Sequence, residues 1–228
     1  MPTHTDLMSR LNELAEPDYA KFSASLSPGC PPMLGVRLPA LRSLAKELAG
    51  DVPAALAALT DATFEERMLH GLVLGCAKLP DAERRARLEA FLPLINCWSL
   101  CDSPAALCKC MPKAPDFWLP WLRELALRDE EYPARFGIVC LLDHFTATPT
   151  GRRATLDACA AAPCAAPYTR LGIAWAVSVV AVKEPPLGEA FLRAGTLDAH
   201  THNKAIQKVC ESLRASPAYK AALRRLKR

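Results

Sequence analysis

The sequence predicts an all-α fold, on three observations. Ala and Leu supply most of a 51% hydrophobic fraction, while alternating Val/Ile/Thr stretches of the strand type are nearly absent. Gly is scarce at 10 residues against 20 Pro, so the helices are short and punctuated by Pro. Apolar stripes at helical spacing recur in pairs, roughly 35–45 residues to a pair, which is the signature of a stack of antiparallel helix pairs, an α-solenoid. The repeats share no crisp motif, and an irregular helical bundle is the alternative that periodicity leaves open. With 228 residues the chain fits one domain or one elongated array, long enough to bury a sizeable core.

The elements follow in order. Leu7, Leu11 and Leu14, then Tyr19, Phe22 and Leu26, make 5–26 one or two helices, with Pro17 as the break. Residues 27–32, Ser-Pro-Gly-Cys-Pro-Pro, read as a loop. Residues 1–33 thus form an N-terminal section, and 34–228 the helical-pair array. Pro39 suits a first helical turn, Leu41, Leu44, Ala45 and Leu48 form the buried stripe, and Gly50 is the expected C-cap. Arg37, Arg42 and Lys46 are left for the surface. The helix pairs are then 51–59 with 64–79, 81–95 with 99–110, 116–127 with 133–145, 151–161 with 168–182, and 187–195 with 201–213. A terminal helix starts at Pro217.

Several classes of function fall away. No apolar run reaches the roughly 18–20 residues of a membrane span, and the N-terminus has no secretory pattern, so the expected location is cytoplasmic. The ten cysteines are accordingly expected to be reduced, buried small hydrophobes. Cys97, Cys101, Cys108 and Cys110 match no zinc spacing. There is no Gly-rich phosphate loop, no GxSxG elbow and no HExxH, so neither a metal nor a nucleotide cofactor is expected. His70, His144, His200 and His202 have no partner at a spacing that points to catalysis.

The net charge of +4 is unevenly spread. Between Asn203 and Arg228, Lys204, Lys208, Arg214, Lys220, Arg224, Arg225, Lys227 and Arg228 stand against Glu211 alone. Such a segment suits a phosphate backbone, or is simply a solvated terminal helix. In Ile95-Asn96-Cys97-Trp98-Ser99-Leu100-Cys101-Asp102 a Trp and an Asp stand four residues apart, on one face if the segment is helical. A carboxylate beside a large aromatic costs free energy in a core unless it is hydrogen-bonded or opens on a cleft. It also suits a cationic, flat ligand. Arg135 and Trp175 each interrupt an apolar run in the next two helix pairs. Either they share a concave ligand face with Trp98 and Asp102, or Arg135 pairs with a neighbouring helix and Trp175 is core. Trp118 and Trp121 read as core and hairpin surface.

Five stretches in order carry a resemblance: Leu34-Gly35-Val36-Arg37 running on to Leu41-Arg42 and Leu44-Ala45-Lys46, then Trp98-x-x-x-Asp102, Arg135-Phe136-Gly137-Ile138, Ile173-Ala174-Trp175-Ala176, and Asn203-Lys204-Ala205-Ile206-Gln207-Lys208. Together they resemble the HEAT-like-repeat DNA alkylation repair proteins, the AlkD-type DNA glycosylases. The resemblance implies a C-shaped, right-handed superhelical stack of helix pairs that grips duplex DNA on a basic concave face, as a monomer. It implies excision of cationic N3- or N7-alkylated purines without metal, cofactor or base flipping, the carboxylate stabilising an oxocarbenium-like sugar. Asp102 would be that catalytic carboxylate, and Trp98 and Trp175 the contacts to lesion or sugar. Arg135, Arg37, Arg42, Lys204, Lys208 and Arg214 would bind phosphates.

The chain also departs from the active members. It has Cys97-Trp98-Ser99 where they carry Trp-Trp-Asp, and only about two helical turns ahead of the Pro-rich loop. These departures bring it nearer a divergent branch. Three readings follow: an alkylpurine DNA glycosylase, a non-catalytic relative that binds DNA or recognises its structure, and a helical-repeat scaffold for another protein.

Overall fold

The computed structural model describes residues 3–163 and 165–228, and no strand occurs among them. Chain contacts divide them into two units, Met1–Lys109 and Cys110–Arg228.

In the first unit, α1 (His4–Glu13) opens on a capping box in which Thr3 and Asp6 satisfy each other's backbone N–H groups, and it buries Leu7 and Leu11 completely. The segment expected over 5–26 is divided where Pro17 stands: α2 (Pro17–Leu26) uses that proline as its first residue. α3 (Leu38–Leu48) buries Leu41, Leu44, Ala45 and Leu48, the stripe its spacing predicts. Its end differs from expectation, because the cap is Ala49 and Gly50 has no left-handed φ.

After α4 (Val52–Ala57) comes α5 (Phe64–Cys76), against which α3, α4, α6 (Asp81–Phe91) and α7 (Trp98–Ala105) all pack. Both ends of α5 are fastened. Glu66, 1% exposed, accepts from the backbone and hydroxyl of Thr60 and of Thr63. The buried Arg84 guanidinium donates to the carbonyls of Leu74, Gly75 and Ala77, which the helix end would otherwise leave orphaned. The second predicted pair is shorter than expected. Pro93 falls in the 3-10 turn Leu92–Leu94 that follows α6, and α7, with Pro104 inside it, ends at Ala105 instead of residue 110.

The second unit holds α8 (Pro115–Ala126), α9 (Glu131–Phe145), α10 (Pro149–Ala161), α11 (Pro167–Lys183), α12 (Pro185–Ala194), α13 (Ala199–Glu211) and α14 (Pro217–Arg224). The pairs α8/α9 and α10/α11 are the predicted ones; α12 and α13, expected to pair with each other, instead each pack chiefly on α11, which is the hub and also packs on α9 and α10. Trp118 and Trp121 are core, at 0% and 1% exposure, with rings 5.5 Å apart. Gly137 lets α9 approach α8 closely, since a Cβ there would lie 2.7 Å from the Leu122 carbonyl oxygen.

The cysteines correct an expectation. Cys30 and Cys97 form a disulfide with Cα atoms 5.8 Å apart, across 67 residues of sequence, so they are not reduced thiols. The loop after α2 crosses the start of α7 and brings the two together. That approach comes from tertiary structure, which a rule based on local cysteine spacing does not see. Among the described residues Cys76, Cys101, Cys108, Cys110, Cys140, Cys159 and Cys210 lie outside that disulfide.

Candidate nucleic-acid interface

Trp98 is the first residue of α7 and Asp102 stands one turn later, so the predicted helical face exists. Trp98 is 37% exposed and Asp102 half-buried. The indole is held in place. Its Nε1 donates to the Leu26 carbonyl at 3.2 Å, Asn96 Nδ2 donates to the Gly29 carbonyl at 2.8 Å, and the Cys30–Cys97 bond lies between them. Three consecutive residues, 96–98, are thereby strapped to the loop at 26–30.

Behind Trp98 is a cavity of about 210 Å³. Tyr19, Phe22 and Leu26 of α2 form one side and Trp98, Ser99 and Ser103 of α7 another; Phe64, Glu65 and Met68 contribute from α5. The position of α2 depends on Glu65, a residue the sequence reading passed over. Its carboxylate, 1% exposed, accepts the N–H groups of Leu34, Gly35 and Val36 at 2.9, 2.8 and 3.2 Å. Gly35 has φ 93°, and a Cβ there would lie 2.2 Å from the Glu16 carbonyl oxygen, so only glycine lets α2 seat on this loop.

Arg37 and Arg42 flank this region on different terms. Arg37 is exposed, stacks over the Tyr19 ring at 4.5 Å and pairs with Glu16 through two bonds of 2.7 and 2.8 Å. The hydrogen bond to Glu16 raises the guanidinium above its ordinary value, and Arg37 lowers Glu16 in turn. Arg42 is half-buried on α3.

In the second unit, Trp175 is half-exposed rather than core, and it lines a cavity of about 370 Å³ with Lys208 and Arg214. These three predicted residues come together. Lys183, unpredicted, joins them; Ser178, Ser212 and Glu211 supply the polar remainder of the wall. Lys183 Nζ donates to Thr146 Oγ1 at 2.7 Å. Burial pushes its amine below the usual lysine value, the charges of Arg152 and Arg214 push the same way, and Asp143 opposes them. The signal for Lys183 was available. It lies two turns after Trp175 on the same helix, and so near the same face. Lys204, one turn before Lys208 on α13, donates to Gln207 Oε1 at 3.2 Å.

Arg135 occupies a different setting. It is 6% exposed, its Nη1 donates to the Tyr168 carbonyl at 2.6 Å, and it runs beneath Gly172, where a Cβ would lie 3.4 Å from Nη1. Glu131, one turn earlier, accepts the Tyr168 N–H at 2.6 Å, so α9 grips the first turn of α11 at two points. One histidine also has a partner that spacing did not reveal. His70 Nδ1 lies 3.2 Å from the Asp61 carboxylate, and Asp61 has a left-handed φ of 57°.

The family model described as DNA alkylation repair enzyme matches residues 7–215. A solved structure described as "a new family of proteins related to the HEAT-like repeat DNA glycosylases with affinity for branched DNA structures" superposes with a TM-score of 0.60. The match covers 98% of this chain and 93% of that one at 15% identity. The shared fold is thus a HEAT-like helical solenoid. No curated protein matches the chain. The chain belongs to the DNA alkylation repair enzyme family.

Proposed function

From that family membership we propose that the protein binds DNA and acts in repair of alkylated DNA, hydrolysing the N-glycosidic bond of cationic N3- or N7-alkylated purines in duplex DNA without flipping the base. The observation that carries DNA binding is the cavity around Trp175, where an accessible indole is ringed by Lys183, Lys208 and Arg214. Cations of this kind hold phosphates, while the indole supplies a face for a cationic base or sugar, worth about 0.5–2 kcal/mol. Lys204, Arg37 and Arg42 are further phosphate contacts in this reading. Arg135 Nη1 is committed to Tyr168, so Arg135 serves the phosphate contacts chiefly by fixing the start of α11, the helix that carries Trp175.

The chemistry is assigned to α7. An alkylated purine already carries the charge that makes it a leaving group, so no general acid is required. As the bond lengthens, positive charge gathers on the sugar; Asp102 stabilises it and orients the attacking water, with Trp98 one turn earlier on the same helix. No cofactor takes part, and the protein works as a monomer. A second reading, a relative that recognises DNA structure without chemistry, is favoured by Cys97 and Ser99 standing where active members have Trp and Asp. The affinity of the structural relative for branched DNA points the same way.

Single-turnover release of N7-methylguanine from a duplex tests the proposal, comparing wild type with Asp102→Asn alongside a binding titration. Release that Asp102→Asn abolishes, with duplex affinity kept, is the expected result. Salt-sensitive binding with no release by wild type would leave the second reading. Absence of both would refute DNA as the partner.

A further inference from the structure

Apart from the Trp98 indole, the cavity behind Trp98 takes no part in the chemistry above. We propose that it is a binding pocket for one unpaired nucleobase, which would let the protein recognise bulged, frayed or branched DNA. The inference rests on the DNA-binding reading and assigns it a second contact, on the first unit.

Size comes first. At about 210 Å³ the cavity holds the equivalent of roughly seven waters, and drug-sized ligands take pockets of roughly 300–1,000 Å³. A single heteroaromatic ring system is the natural occupant of the smaller space.

The chemistry of the walls agrees. Phe22 and Leu26 are 59% and 53% exposed, an unusual placement for large apolar side chains, and with Trp98 they form an apolar lip. Trp98 is tied through its ring nitrogen to Leu26, which fixes the plane of the indole and leaves its faces for stacking. Below the lip the walls carry the hydroxyl residues Ser23, Ser27, Ser99 and Ser103, which suit the mixed donors and acceptors of a base edge. Glu65, the one carboxyl residue in the wall, is taken up by three backbone N–H groups. With an aromatic lip and hydroxyl-bearing walls, the cavity suits a flat, hydrogen-bonding ring. A base that is already unpaired enters without the cost of extrusion from the stack.

The test uses three fluorescein-labelled duplexes: one with a single bulged adenine, one with an abasic residue in the bulge, and one fully paired. Binding of the full chain is followed by anisotropy. The bulged adenine is expected to bind about tenfold more tightly than the abasic bulge, in the range that base–aromatic stacking supplies. Phe22→Ala, on an exposed side chain that cannot unfold the core, removes most of that preference and leaves affinity for the paired duplex unchanged. Ser103→Phe, which fills the cavity, does the same.

Equal binding of adenine and abasic bulges by wild type overturns the pocket while leaving DNA binding intact. Failure to bind any of the three overturns the proposed function as well. Equal binding combined with uptake of a neutral apolar dye that Ser103→Phe blocks would assign the cavity to an apolar side chain or small molecule, and would also overturn the nucleobase reading.

Discussion

If Lys183, Lys208 and Arg214 contact phosphates, their removal must change the salt dependence of DNA binding by a calculable amount. All three line the cavity that exposes Trp175 and lie outside the apolar core: Arg214 is exposed, Lys208 half-buried, and Lys183 exposed as a residue while its amine is partly buried against Thr146. Each cation that neutralises a phosphate steepens the log–log slope of affinity against salt by about 0.9 for B-form DNA, so the triple change to Gln flattens it by about 2.7. Between 50 and 200 mM salt, wild type then loses about 40-fold more affinity than the triple variant. Fluorescence anisotropy with a paired duplex at four salt concentrations reads both slopes, and circular dichroism confirms the helical content of the variant. Lys208→Gln alone takes about a third of the effect. Lower affinity with an unchanged slope would refute the reasoning, because the cations would then be acting through the protein and not on phosphate. An unchanged slope and affinity would place the DNA elsewhere.

Three further outcomes follow from the geometry. Glu65→Gln leaves one carboxamide oxygen for three N–H groups and turns an –NH₂ towards one of them, costing about 2–4 kcal/mol, read as a lower denaturant midpoint; a loss below about 1 kcal/mol would mean the 34–36 loop is held by something else. Lys183 binds phosphate only when protonated, and burial with the neighbouring Arg152 and Arg214 charges holds its amine below the ordinary lysine value, so affinity falls as pH rises through that lowered value, earlier than for an ordinary lysine. Lys183→Arg should flatten the alkaline limb, and an identical limb in both proteins would exclude Lys183 from the interface. Cys97→Ser opens a loop of 67 residues and is expected to cost about 4 kcal/mol or somewhat less; dithiothreitol should lower the stability of wild type to that of the variant and leave the variant unmoved.

The helices were legible because the signals that specify them are local. A stripe such as Leu41, Leu44, Ala45 and Leu48 needs only its own spacing to be read, and proline marks the start of α2, α3, α8, α10, α11, α12 and α14. Where local rules failed for α6, a second local rule overrode the first: apolar spacing carried the prediction through to Ile95, and Pro93 stopped the helix sooner. The sites were legible only in part. Exposure of Trp175 beside Lys208 and Arg214 could be anticipated from one indole and a basic run, whereas the burial of Arg135 against Tyr168 depends on how closely α9 and α11 approach at Gly172.

What no spacing rule could find is the join between residues 26–30 and 96–98. Its three links are a side-chain amide to a carbonyl, a disulfide and an indole N–H to a carbonyl, and each spans about the same length of chain. None implies the others from sequence, yet once one forms, the partners of the other two are already opposite each other, so the loop-closure entropy is met once for three contacts. The same join explains why Trp98 can stay accessible at the start of a helix. An indole left free at that position would be drawn down over the apolar side chains of α2, since burial is favoured at about 25 cal/mol per Å². Held by Leu26 on one side and by the disulfide at its own N-cap on the other, it is kept at the rim. Trp98→Phe therefore separates two properties that Trp98→Ala would confuse. Phenylalanine keeps an aromatic face but loses the Nε1 donor, so stability falls by about the 0.5–1.5 kcal/mol of one hydrogen bond while DNA contact through the ring persists. Equal loss of DNA affinity in both variants would show that the fixed orientation of the ring, and not its aromatic surface alone, is what DNA recognises.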